Sequence, residues 1–329
     1  MKHLIASLAA MAAVTFAAPF AGAAELTLVS YAVAKPVYAK IIPAFKKKFK
    51  ADTGEDVTFK ESYGPSGAQT RDILGGKPAD ILATNLQAYI DPLVENGFVA
   101  ADWSKRLPAN ASPAWSVIVL VTRENNPKGL KDWSDLIKPG VEIVAINPKT
   151  SGNARWGILG GYAALGQSGN AKAGEDYVRG VVKNTKTLVG GGREATDAFV
   201  KNRIGDVMLT FENEAKFANK VGGQNLTYVA PETNVRVEFP VTIIDKNVDK
   251  NGTRKAAEAF VNYLFSEEAQ AIYAELGYRP QDAKVAERFA ADYAKTTKLI
   301  TAEDAGGWPA IDKALFADGA LYDQAQASK

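Results

Sequence analysis

Asn147-Pro-Lys-Thr-Ser-Gly-Asn-Ala-Arg-Trp156 is a turn between two unlike stretches. Before it, Val141 to Ile146 is a short apolar run that reads as a buried strand. After it, Ala154 to Leu165, rich in Ala, Leu and aromatics, reads as a helix. Between them lie Pro148, Ser151 as a candidate helix cap, and Gly152. The first N–H groups of a helix have no intrahelical acceptor, so such a turn aims free donors outward. Together with the helix dipole they form an anion site that needs no cation.

Two more turns share this design. Val57 to Ser62 is strand-like, and Tyr63-Gly-Pro-Ser-Gly67 leads into a helical stretch from Ala68 to Leu74. Thr187 to Val189 is strand-like, and Gly190-Gly-Gly-Arg193 leads into Glu194 to Lys201. One small-residue turn is weak evidence, because any α/β protein has several. Three with Ser or Gly at the helix start point to convergence on one small ligand.

The amino terminus reads as a secretory signal over residues 1–23. Lys2 and His3 are basic, Leu4 to Phe20 is apolar, and Ala21-Gly22-Ala23 is a small-x-small cleavage site. The short apolar core, interrupted by Pro19, argues against a membrane anchor. The mature chain of about 305 residues is long enough for two domains of ordinary size. It contains no Cys, hence no disulfides and no thiolate metal site. The single His is His3, which excludes Ser-His-Asp catalysis and His-ligated metals from the mature chain. No P-loop is present, and Gly64-Pro-Ser-Gly67 has its second Gly one place early for a hydrolase elbow. No metal or cofactor is expected. With 39 Lys plus Arg against 37 Asp plus Glu, the chain is not built to hold nucleic acid by bulk charge.

Along the chain, Leu26 to Ser30 reads as a strand, and Val37, Ile41, Phe45 and Phe49 recur every four residues as the apolar face of a helix. Pro43 should kink that helix. Trp115 to Thr122 and Val235 to Ile244 are long β-rich runs that read as crossings between two domains. Gly205 to Phe211 reads as a strand and Glu212 to Asn219 as a helix. Ser266 caps a helix that ends at Gly277. Phe289, Trp308 and Phe316 are the anchors expected in a mixed, polar tail. Alternating strands and helices imply α/β layers with ligands at the carboxyl ends of the strands, where all three turns lie.

These and further stretches resemble the periplasmic sulfate-binding proteins of ABC importers and their thiosulfate-binding relatives. The likeness runs through Ser30-Tyr31, Tyr63-Gly-Pro-Ser-Gly67, Lys105-Arg-Leu-Pro108, Lys138-Pro-Gly140, Asn147-Pro-Lys-Thr-Ser-Gly152, Arg193-x-Ala-Thr196, Glu212-Asn-Glu-Ala215, Tyr278-Arg-Pro280 and Phe316-Ala-Asp-Gly319. It covers nearly the whole mature chain. The resemblance implies an α/β, two-lobed periplasmic binding protein of type II, with mixed, mainly parallel sheets and a hinge between the lobes. Lobe one is expected over 24–115 plus 236–329, and lobe two over 116–235. The protein would be a periplasmic monomer that hands sulfate or a related oxyanion to a membrane permease, and not an enzyme. Carried over position by position, the ligand donors are the N–H of Ala32, the hydroxyls of Ser66 and Ser151, and the N–H groups of Gly152, Asn153 and Gly192. A side chain at Phe211 completes the set.

Three positions depart from the family pattern. Ala32 stands where Asp is usual and Asn153 where a second Gly is usual, yet both contacts are made through the backbone. Phe211 stands where the family's Trp donates an indole N–H, which Phe lacks. Ser66 and Ser151 are also plausible N-caps, worth about 1 kcal/mol each to their helices. Arg155 and Arg193 near helix starts read either as support for the anion from behind its direct contacts or as surface charges. Three functions therefore compete. The first is a binding protein for sulfate or thiosulfate. The second is a binding protein for another tetrahedral oxyanion, molybdate or phosphate; a protonated phosphate would want a carboxylate acceptor from Glu61, Glu194 or Glu212. The third is an exported carboxylate-based hydrolase, against which the missing His and paired carboxylates count.

Overall fold

The computed structural model describes residues 23–222 and 225–329, so the signal expected over 1–23 lies, apart from Ala23, outside the described residues. The expected α/β pattern takes the form of two sheets. In one, Val57–Gly64, Ala24–Tyr31 and Ile81–Ala83 run parallel, and Val241–Ile243 closes the edge antiparallel to Ile81–Ala83. In the other, Thr185–Val189, Ile143–Ile146 and Val207–Phe211 run parallel, and Ile118–Thr122 lies antiparallel to Val207–Phe211. The central strands are apolar because helices cover both sheets, whereas the edge strands Val57–Gly64 and Thr185–Val189 are polar and largely half-buried or exposed. Leu26, Leu28, Val29 and Ile81 are fully buried in the first sheet, as are Ile143, Val144 and Met208 in the second.

The two β-rich runs expected to cross between lobes lie side by side. Ala114–Ser116 pairs antiparallel with Val237–Glu238, and its other edge pairs with Arg279–Pro280. Each expected run breaks, the first at Val117 and the second at Arg236 and again at Phe239–Pro240, so that separate short strands serve the crossing and the sheets. At the crossing, the buried Asn234 side chain accepts from the Ile118 N–H at 3.1 Å and donates to the Ile118 carbonyl at 2.8 Å, replacing a missing strand partner. Buried Glu212 accepts from Arg279 at 2.8 Å and from the Ala294 N–H at 2.6 Å, which pins the third crossing strand.

That third strand corrects the expected domain boundaries. Lobe one does not keep the chain to residue 329. The helix Leu321–Ala327 packs on the helix Ala171–Asn184 of the second sheet's unit. Trp308 meets Trp156 edge-on with ring centroids 4.8 Å apart, and Lys149 Nζ donates to the Phe316 carbonyl at 2.8 Å and to Asp323 at 2.9 Å. Trp308 and Phe316 are buried anchors, as expected, whereas Phe289 is half-buried. A polar tail carries little periodicity, and its partners lie over a hundred residues away, so sequence could not assign it.

Pro43 does not end its helix, which runs from Lys35 to Thr53. Ala39, whose carbonyl loses its partner, and Pro43 both lie on the exposed face, where water can take that carbonyl. Ser266 caps Glu267–Glu275 as expected, accepting from the Ala269 N–H at 3.3 Å.

The helix Gly152–Leu165 is packed unusually close. A Cβ at Gly161 would lie 2.1 Å from the ring of Tyr177, which is fully buried and donates to the Gly157 carbonyl at 3.1 Å. Gly161→Ala should therefore destabilise the protein by about 1–3 kcal/mol through overpacking. Helix propensity alone would predict a gain of up to about 1 kcal/mol. Chemical denaturation of the variant distinguishes the two signs.

Candidate anion-binding site

All three helices anticipated from the turns start earlier than their sequences suggest, at Ser66, Gly152 and Gly192. The small residues thus lie inside the first turn rather than before it, where their N–H groups lack intrahelical acceptors. The three starts meet at one small cavity of about 40 Å³. That is far below the roughly 300–1,000 Å³ of pockets for drug-sized ligands, and suits a small ion. Lobe one contributes Ala32, Pro65, Ser66 and Asn85 to its walls, and lobe two contributes Ser151, Asn153, Gly192 and Arg193.

Five of the seven expected ligand positions, Ala32, Ser66, Ser151, Asn153 and Gly192, line this cavity. Gly152 stands at its edge, pressed against Asn85. Phe211 is the exception and is corrected here. Its ring is fully buried and does not line the cavity. It meets Phe239 edge-on at 5.2 Å, and Phe239 stacks on Tyr31 at 5.5 Å. An aromatic ring without a donor gains nothing beside an anion, and this one packs with other rings instead.

Neither serine caps its helix. Pro65 takes the N-cap position before Ser66, whose hydroxyl lies 3.1 Å from Asn85 Oδ1. Ser151 occupies its N-cap position without bonding the helix backbone. The hydroxyl work is done nearby by Thr150, which donates to the Gly190 carbonyl at 2.8 Å and lies 3.1 Å from the Asn147 carbonyl, tying two of the turns together. Asn153 Nδ2 donates to Thr210 Oγ1 at 3.1 Å, and Asn153 Oδ1 is buried without a hydrogen-bond partner among the described residues.

The two arginines separate. Arg155 does not line the cavity. It pairs with Asp312, donates to the Pro148 carbonyl at 2.8 Å and lies over the rings of Tyr89 and Phe316. Arg193 lines the cavity, lies 3.9 Å over Phe217 and pairs with buried Glu214 at 3.3 Å. Burial pushes the Glu214 carboxyl up to about 7, against the opposing pull of Arg193 and of the Thr196 hydroxyl, which donates to it at 2.5 Å. Of the three carboxylates considered as phosphate acceptors, only Glu194 lines the cavity, and each accepts a hydrogen bond from a neighbour. Glu61 accepts from Tyr63, Glu212 from Arg279, and Glu194, at the cavity rim, from the Gly190 N–H at 2.8 Å.

Asn85 carried no signal in the sequence. It is buried, its side chain meets Ser66, and its carbonyl accepts from Trp156 Nε1 of lobe two at 2.7 Å. The Gly67 N–H also crosses, donating to the Thr150 carbonyl at 3.2 Å. The lobes are therefore in contact around the cavity.

No group of His, Cys, Asp or Glu suited to a metal occurs among the described residues, and no described helix is long and apolar enough to cross a membrane.

Residues 26–279 match the model of the bacterial extracellular solute-binding protein family. The sulfate-binding protein of Synechococcus elongatus is 42% identical over 304 residues, covering 92% of this chain and 86% of that one. The sulfate-binding protein of Escherichia coli is 39% identical over 91% of this chain and 92% of its own. The thiosulfate-binding protein of Pseudomonas aeruginosa is 38% identical over 98% of both. Among solved structures, the sulfate-binding protein SubI from Mycobacterium tuberculosis matches with a TM-score of 0.81 at 37% identity, covering 89% of this chain and all of that one.

Two predictions follow from the geometry. A Cβ at position 152 would lie 2.3 Å from Asn85 Oδ1, so Gly152→Ala should wedge the lobes apart. Overpacking of about 1–3 kcal/mol corresponds to roughly 5- to 150-fold weaker anion binding by calorimetry, with the ligand-free melting temperature nearly unchanged. The second concerns pH. The raised Glu214 carboxyl favours the folded state below the unfolded pKa near 4.3, and that stability is lost as pH rises to about 7. Glu214→Gln should therefore raise the melting temperature more at pH 8 than at pH 4.5, by roughly 3–6 °C, in scanning calorimetry.

Proposed function

Since the chain belongs to the family of bacterial extracellular solute-binding proteins, we propose that its cavity captures sulfate, with thiosulfate as the nearest alternative. The chain is the substrate-binding component of an ABC importer and not an enzyme. The observation that carries the choice of ligand is the supply of donors around a cavity with a single carboxylate, Glu194, on its wall. Helix-start N–H groups and two hydroxyls face a site whose one lining guanidinium is paired and whose rim carboxylate accepts from its own loop. A fully deprotonated tetrahedral anion wants donors alone, whereas protonated phosphate also wants an acceptor. Named relatives that bind sulfate or thiosulfate, at high coverage, support the same ligand.

In this reading the anion arrives between open lobes, loses its water to the donors of both, and holds them closed by hinge motion about the three crossing strands. Export to the periplasm, removal of residues 1–23 and action as a monomer complete the proposal. The test is competition calorimetry with sulfate, thiosulfate, molybdate and phosphate. Sulfate should bind most tightly, with thiosulfate next. Removing the Ser151 hydroxyl removes a hydrogen bond to a charged acceptor, worth roughly 1.5–3 kcal/mol. Ser151→Ala should accordingly weaken sulfate binding by about tenfold to a hundredfold. Unchanged affinity would place the site elsewhere.

A further inference from the structure

We propose that Asn85 is a specificity-determining residue of this pocket, because its carboxamide sets the direction in which the Ser66 hydroxyl points its proton. The inference rests on the sulfate reading.

Both side chains are buried, with Ser66 2% and Asn85 3% exposed, and both line the cavity. The Ser66 hydroxyl donates to Asn85 Oδ1 at 3.1 Å, so the carboxamide stands with its oxygen toward Ser66 in the structure, and sulfate binding requires it to turn over. Asn85 has little freedom to move away. Its backbone carbonyl is held by Trp156 Nε1, and its amide fills the space that a Cβ on Gly152 would need. The remaining freedom is a half-turn of the carboxamide, which exchanges two ends of nearly equal size.

A serine hydroxyl has one proton and two lone pairs. With the amide oxygen toward Ser66, the proton is committed to Asn85 and Ser66 turns lone pairs to the cavity. That arrangement repels a bare dianion and welcomes a ligand that carries its own proton. With the amide nitrogen toward Ser66, Nδ2 donates to Oγ, and the hydroxyl proton is released toward the ligand. Sulfate selects this second arrangement, and donation from the amide polarises the hydroxyl so that it donates more strongly. Asn85 thus acts through Ser66 as a positioning residue. An acceptor fixed at position 85 would reverse the preference of the pocket, from the bare dianion toward a protonated oxyanion.

The test is a double-mutant cycle read by calorimetry with sodium sulfate, using Asn85→Ala, Asn85→Asp, Ser66→Ala and the two double variants, each first confirmed as folded by its melting curve. Asn85→Ala should weaken sulfate binding by about threefold to tenfold, and should do nothing further once Ser66 is alanine. Asn85→Asp at pH 8 should weaken sulfate more than a hundredfold and bind inorganic phosphate more tightly than the parent does. As pH falls and the new carboxyl gains a proton to donate to Ser66, sulfate affinity should recover in the Asp variant, and much less so in its Ser66→Ala double variant. Equal losses with and without Ser66 overturn the proposal, as does sulfate binding by Asn85→Asp at pH 8 equal to that of the parent. If the parent itself releases no heat with sulfate, the sulfate reading fails. The Ala cycle, run with whichever of thiosulfate, molybdate or phosphate binds, then decides the Asn85 role by the presence or absence of coupling to Ser66.

Discussion

An anion that leaves water must find a donor for each hydration bond it gives up, and a cavity of about 40 Å³ leaves no room for water to remain as an intermediary shell. The architecture answers that constraint with backbone. Strands Val57–Gly64, Ile143–Ile146 and Thr185–Val189 each feed a helix whose first turn opens on the same point. Backbone N–H groups are fixed by their helices, so they need little reorganisation when charge arrives. Thr150 and the Gly67–Thr150 bond hold the turns in register with one another.

Charge is handled at one remove. Arg193 borders the cavity, and its guanidinium faces Glu214, a carboxyl buried so thoroughly that its ionisation is itself costly. Arg155, likewise in the first turn of its helix, spends its charge on Asp312 and braces the tail. Two basic residues near equivalent turns therefore have unlike roles. The difference comes from partners more than a hundred residues away for Arg155 and about twenty away for Arg193.

Closure depends on the absence of side chains as much as on their presence. Gly152 lets the Asn85 amide sit against its Cα, and from there Asn85 reaches Ser66. Gly161 does the same for Tyr177 behind the site and so fixes the axis of the helix that delivers Ser151 and Asn153. The hinge is built from three short strands with a buried Glu212–Arg279 pair beside them, which keeps the crossing narrow while both sheets stay intact.

The alternation of strand and helix, the three small-residue turns and two of the three crossings were legible along the chain. These are local properties, carried by hydrophobic period and turn chemistry within about ten residues. The turns that carry Ser66, Ser151, Asn153 and Gly192 to the cavity wall were legible too, because a helix start exposes its donors wherever the chain places it. Where side chains went once those helices met was set by three-dimensional packing. It turned Phe211 into a ring stack, drew the tail from Lys298 onward onto lobe two, let water relieve Pro43 on an exposed face, and brought Asn85 to Ser66. Each of these is a contact between residues distant in sequence or a matter of which face is buried. No periodicity records either, because both are set by the packing of one element against another.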